Sequence, residues 1–221
     1  MAPKLLLLLV FFVGNVVPHP DLLLRIEQLT QILEKKPKAK QLYLQRGDLY
    51  RQHHQFVLAA KDYHKALQNG VDKNDVLLHQ ALLQRDKNKT LLAEKMLSQV
   101  SKQSHNKNTI FMALVNLAEM QQQQKNWLVA AQYYEKAIKI EPKSVSLYLA
   151  AVENYQKAGK SHNAKSITLL EQAINYNKGV IALYTTIIKL ERSSKHKQRA
   201  EYWLAQLHKI YPNYSLPSNI K

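Results

Sequence analysis

The pattern Tyr43-x2-Arg46-Gly47-x2-Tyr50-x8-Ala59-x3-Tyr63-x2-Ala66 returns along the chain at start-to-start spacings of 34, 37, 34 and 36 residues. A chain that repeats itself on that scale builds its core by stacking like units, because no single unit can bury its apolar face alone. With Lys40 as position 1, the pattern occupies positions 4, 7, 8, 11, 20, 24 and 27. A second copy starts at Asn74, with Leu77, Ala81, Ala93, Leu97 and Val100 at 4, 8, 20, 24 and 27. A third starts at Phe111 and carries Leu114, Leu117, Ala118, Ala130, Tyr134, Ala137 and Pro142. A fourth starts at Val145 (Tyr148, Ala151, Tyr155, Leu170, Ala173) and a fifth at Ile181 (Tyr184, Ala200, Leu204, Pro212). The extra residues fall near Ser101–Asn108 and Gly159–Asn163, both polar stretches where insertions cost little.

This pattern resembles the tetratricopeptide repeat, which has an aromatic residue at 4 and 24, Gly at 8, Tyr at 11, Ala at 20 and 27 and Pro at 32. The first copy departs at position 7, where Arg46 replaces the usual leucine, and at 32, where Val71 stands. The resemblance implies an all-α fold: an α-solenoid of about eleven antiparallel helices, made of a half-repeat and five repeats. The half-repeat spans 21–39, and the repeats span 40–73, 74–110, 111–144, 145–180 and 181–212. Asp21 is expected to cap the half-repeat helix, with Leu22, Leu29 and Ile32 on one face. Gly47, Ala81, Ala118, Ala59, Ala93, Ala130 and Ala200 are small where helices must approach closely. Val152 and Ile188 break that rule at position 8, so a wider helix separation is expected in repeats four and five. His208, Lys209, Pro212 and the tail 213–221 read as a polar finish.

The first seventeen residues read as a secretory signal peptide. Lys4 precedes an uninterrupted apolar run, Leu5–Val13, and Gly14 and Asn15 break it before Pro18-His19-Pro20. Even extended to Val17, the run is shorter than the roughly 20 residues a transmembrane helix needs. An uncleaved anchor and a buried helix are the alternatives. The mature chain is expected to have no transmembrane helix and to be periplasmic or secreted, like the small exported bacterial tetratricopeptide proteins it resembles.

Chemistry has few places to reside. There is no cysteine, which excludes disulfides, thiolate metal sites and a catalytic thiol. The five glycines are too scattered for a phosphate-binding loop. His53, His54 and His64 are the densest histidines, but adjacent helical residues point about 100° apart and seldom share a metal. No catalytic residue, metal or cofactor is expected, and the chain does not read as an enzyme. The triplets starting at Asn88 and Asn213 fit the glycosylation acceptor pattern, which matters only in a eukaryote.

The resemblance places a partner-binding groove on first-helix positions 2, 5, 9, 12 and 13. Here these include Leu44, Asp48 and Arg51; Leu78, Leu82 and Arg85; Met112, Val115 and Glu119; Leu149 and Glu153; and Lys189 and Arg192. The line through Leu44, Leu78, Leu82, Met112, Val115 and Leu149 suits an extended or helical peptide, or else packs under neighbouring helices. A basic clamp for a terminal carboxylate would need Lys and Asn where Leu44 and Asp48 stand. The expected function is an exported adaptor that binds a protein or peptide. The alternative uses the formal charge of +16 to hold an anionic lipid or cell-wall polymer. Lys35, Lys36, Lys38 and Lys40, with Lys87, Lys89, Lys136 and Lys139, supply much of that charge, though such lysines also serve as a plain solvated face. Nucleic acid ranks last, because no aromatic–basic stacking platform is evident.

Overall fold

A computed structural model describes residues 20–218 and 220; the expected signal segment lies outside the described residues. Among them are eleven α-helices. These are α1 (Pro20–Lys35), α2 (Lys40–Gln52), α3 (Phe56–Gln68), α4 (Lys73–Asp86), α5 (Thr90–Gln103) and α6 (Lys107–Gln123). They continue with α7 (Trp127–Ile138), α8 (Val145–Ala158), α9 (Asn163–Tyr176), α10 (Ile181–Ser193) and α11 (Lys197–Ile210), with one 3-10 turn at Lys160–His162. The fold is an all-α solenoid of paired helices. It divides into two compact units, one ending at Gly70 and the other starting at Val71.

The turns inside the helix pairs share one backbone device. His54, Asn88, Lys125 and Lys195 all have left-handed φ, between 58° and 63°, and all stand at position 15 of the repeat. In each, the next N–H reaches back five residues to close the helix, as Gln55 does to Tyr50 and Asn126 to Gln121. Repeat four differs because of its insertion. Gly159 holds position 15 with φ of 131°, a region that favours glycine, and the chain passes into the 3-10 turn.

In the first unit, α2 and α3 come into close contact at Gly47. A Cβ there would lie 2.5 Å from Tyr63 Cε1, and the Tyr63 ring is fully buried. Ala59 and Ala66 are likewise inaccessible. Arg46, the departure at position 7, is accounted for by Asp62 of α3. Its Nε and Nη2 donate to the two carboxylate oxygens at 2.7 and 2.8 Å, and Nη1 donates to Thr30 Oγ1 of α1 at 3.0 Å. The hydrogen bond to Asp62 raises the guanidinium pKa above its ordinary value although burial opposes it. The buried face of α1 differs from the expected one. Ile26 and Leu33 are its core residues, while Ile32 is exposed, because the helical period aligns 22, 26, 29 and 33. The helix also begins at Pro20, so Asp21 lies in its first turn rather than at the cap.

The core of the second unit includes two clusters among the described residues. One joins Leu78, Ala81, Ala93, Leu97, Val100, Ala113, Leu117 and Met120, and the larger runs from Leu114 to Leu216. Ala81, Ala93, Ala118, Ala130 and Ala200 are all fully buried where helices touch. Val152 and Ile188 are buried too, and α8–α9 and α10–α11 pack closely along less of their length than α4–α5 and α6–α7. Larger side chains at position 8 account for that difference.

Candidate functional site

The residues expected to form one apolar line behave differently from one another. Leu44, Leu78 and Leu82 are buried, at 5%, 2% and 6% exposure, which corrects the expectation of an open apolar strip. For Leu78 the reason is packing between first helices: it shares a cluster with Ala113 and Leu117 of α6. Met112 is open to solvent, and Val115 and Leu149 are half-buried against the larger cluster.

Several polar groove residues are engaged by their own fold. Asp48 accepts from the Tyr63 hydroxyl at 2.8 Å and lies 3.6 Å from Arg51 Nε. Burial, and then the Asp48 carboxylate, push the Tyr63 phenol pKa up. Arg85 Nε pairs with Asp86 at 3.3 Å, and its Nη1 donates to Asn116 and lies 3.8 Å from Glu119.

Two clefts of the second unit gather what remains. The first, about 430 Å3, is lined by Glu119, Gln122, Gln123, Trp127 and Tyr134. The Lys157 ammonium sits 4.8 Å from the Trp127 ring centroid and 2.7 Å from Glu153. Burial and the nearby Glu119 and Glu153 carboxylates raise the Tyr134 phenol pKa. Behind this cleft Asn154 is fully buried, donating to Gln122 Oε1 at 3.2 Å and to the Ala150 carbonyl at 2.8 Å. Sequence reasoning missed Asn154; its signal was a mid-helix asparagine, a residue that competes with the backbone for hydrogen bonds. The second cleft, about 300 Å3, lies between α8 and α10 and brings together Leu149, Glu153 and Lys189 with Val152, Thr186 and Ile220. Ile220 belongs to the segment after α11, which the sequence did not connect with any groove. Arg192, the last expected groove residue, donates to the Ile220 carbonyl and pairs with Glu201 at 3.1 Å.

Such clefts offer a mixed surface of aliphatic, amide and paired charged groups. Among the described residues no group of three or more His, Asp or Glu is placed to hold a metal ion. Among them, too, no helix is long and apolar enough to cross a membrane.

No family model matches the sequence, and no curated protein does either. Solved structures do match the fold. One, from a functional characterisation of Pseudomonas aeruginosa pilF, has a TM-score of 0.57 at 18% identity and covers 86% of each chain. The C-terminal part of a TPR repeat-containing protein from Cytophaga hutchinsonii gives 0.63 at 14% identity, covering 86% of this chain and 74% of that one. YrrB, described as a TPR protein with an unusual peptide-binding site, gives 0.55 at 13% identity over 86% and 95%. The chain therefore has the fold of tetratricopeptide-repeat proteins.

Proposed function

We propose that the chain is a non-catalytic scaffold that binds an extended protein segment along the first helices of its second unit, with the α8–α10 cleft as a principal contact. The observation that carries this reading is that Leu149, Glu153 and Lys189, groove positions from two successive repeats, line one cleft. Its walls combine aliphatic side chains with opposite charges, a composition suited to a peptide backbone and alternating side chains. The peptide-binding site named for YrrB, which shares the fold, is compatible with this use.

The rival reading, adhesion to an anionic surface, is separable by salt. A partner isolated from the native compartment is expected to bind Glu153→Lys/Lys189→Glu roughly tenfold or more weakly at both low and high salt, because the contact is short-range and specific. Replacing Lys87, Lys89, Lys136 and Lys139 by Gln is expected to have a smaller effect, confined to low salt, since exposed charges are screened beyond about 10 Å at 0.1 M. The reverse ranking, with binding of the wild type to phosphatidylglycerol vesicles, would support adhesion and end the groove reading.

The same proposal places the scaffold in the periplasm or outside the cell, supported by Lys4 and the apolar run Leu5–Val13. Intact-mass measurement of native protein is expected to give an N-terminus between Asn15 and Asp21. A chain retaining Met1 in membrane extracts would defeat export with cleavage.

A further inference from the structure

The segment after α11 does not run into solvent as the polar finish expected from sequence would. The Tyr211 hydroxyl donates to the Gly179 carbonyl at 2.7 Å, and His208 Nε2 to the Tyr214 carbonyl at 3.0 Å. Leu216 is buried at 8% exposure and belongs to the larger core cluster, against which Tyr214 and Ile220 also pack. A tight turn, closed by Ile220 N–H to the Pro217 carbonyl at 2.9 Å, then brings Ile220 into the α8–α10 cleft. There its carbonyl accepts from Arg192, and the residue lines the cleft together with Leu149, Thr186 and Lys189. Two expected groove positions from repeat four and two from repeat five are thus engaged by, or adjacent to, a piece of the same chain.

These contacts have the form of a bound peptide. An aliphatic residue packs along the groove wall, an arginine holds its backbone carbonyl, and a second aliphatic residue four positions earlier is buried in the core. We propose that residues 212–218 and Ile220 are an intramolecular ligand of this groove, and that the partner is an extended peptide of similar chemistry that must displace them. The proposal rests on the groove reading above and specifies what the groove accepts. Tethering lets a segment of modest intrinsic affinity occupy its site, because a short linker holds it at an effective concentration near millimolar. The partner's apparent affinity is then lowered by the fraction of molecules whose groove is closed.

The probe is a fluorescein-labelled synthetic peptide of residues 212–221, titrated by anisotropy into the full chain. The wild type is expected to bind it weakly, because its own segment competes. Ile220→Asp, which removes the apolar side chain that packs against the core and leaves a strongly hydrated carboxylate in its place, is expected to bind it about tenfold more tightly or better. Leu216→Asp/Ile220→Asp should bind at least as well; if that pair fails to fold, Ile220→Asp decides alone. Thr186→Arg, added to Ile220→Asp, should fill the cleft and abolish the gain. Equal binding to wild type and Ile220→Asp, or a gain that survives Thr186→Arg, would overturn the proposal. The two readings fail separately, because the partner assay on Glu153→Lys/Lys189→Glu judges the groove and the peptide assay judges its intramolecular occupant.

Discussion

Leu78→Asp is expected to abolish cooperative folding of the second unit. Leu78 is 2% exposed, packed with Ala81, Leu97, Ala113 and Leu117 in a cluster shared by α4, α5 and α6. Removing a buried leucine beyond Cβ costs about 2–5 kcal/mol. A carboxylate left in that apolar space adds a desolvation penalty of several kcal/mol more, or forces α4 away from α6. The sum is of the order of a whole domain's stability, about 5–15 kcal/mol. Circular dichroism melts and limited proteolysis should show α4–α6 disordered at 25 °C. Met112→Asp is the matched control on the same α4–α6 pair, because Met112 is 41% exposed and a surface change there should stay within about 0.5 kcal/mol. A Leu78→Asp protein that melts like wild type would mean that Leu78 faces an open groove and that α4 does not pack on α6 as described.

Leu78 also marks where sequence reading reached its limit. The fold was legible because its signals are local and recurrent. Gly47, Ala59, Ala130 and their counterparts mark close approaches, and the regular spacing carries the frame through copies that are weak alone. Position 5 of a first helix is less informative. Its side chain points along the seam between consecutive first helices, so whether it is buried depends on how closely the next one approaches. Leu78 meets Ala113, a small residue that lets α6 come near, and is buried; Leu149 faces the space between α8 and α10 and lines the cleft there. Glu153 and Lys189 were recoverable as cleft residues, whereas Ile220 was not, since the period ends before it and only tertiary contacts return it to α10. The widest exposure of large apolar residues also escaped the groove argument. Val57 and Leu91, at 82% and 83% exposure, occupy position 18 in the first turns of α3 and α5, where the resemblance assigned no role.

Arg46→Leu restores the residue usual at position 7, yet it is expected to destabilise the first unit by about 3–5 kcal/mol. The Asp62 side chain is 4% exposed and Arg46 13%, and the pair is bidentate. Losing the guanidinium leaves a carboxylate that has already been removed from water, which is the costly half of a buried ion pair. It also frees Thr30 Oγ1, which otherwise accepts from Arg46 while donating to the Ile26 carbonyl, and so loosens α1 from α2. Asp62→Leu alone should cost a similar amount for the complementary reason, although Tyr43 and Tyr50, with ring centroids 5.8 and 5.7 Å from Arg46 Cζ, soften the loss of its partner. The double variant Arg46→Leu/Asp62→Leu is expected to lie within about 1 kcal/mol of wild type, or above it, because two apolar side chains replace a pair whose attraction was offset by its desolvation. A urea-unfolding cycle over the four proteins should therefore give a coupling of several kcal/mol, and one that changes little between 0.05 and 0.5 M salt, since buried pairs are screened far less than exposed ones. Additive single effects, or coupling that vanishes in salt, would mean that Arg46 and Asp62 meet in solvent and that another contact joins α2 to α3.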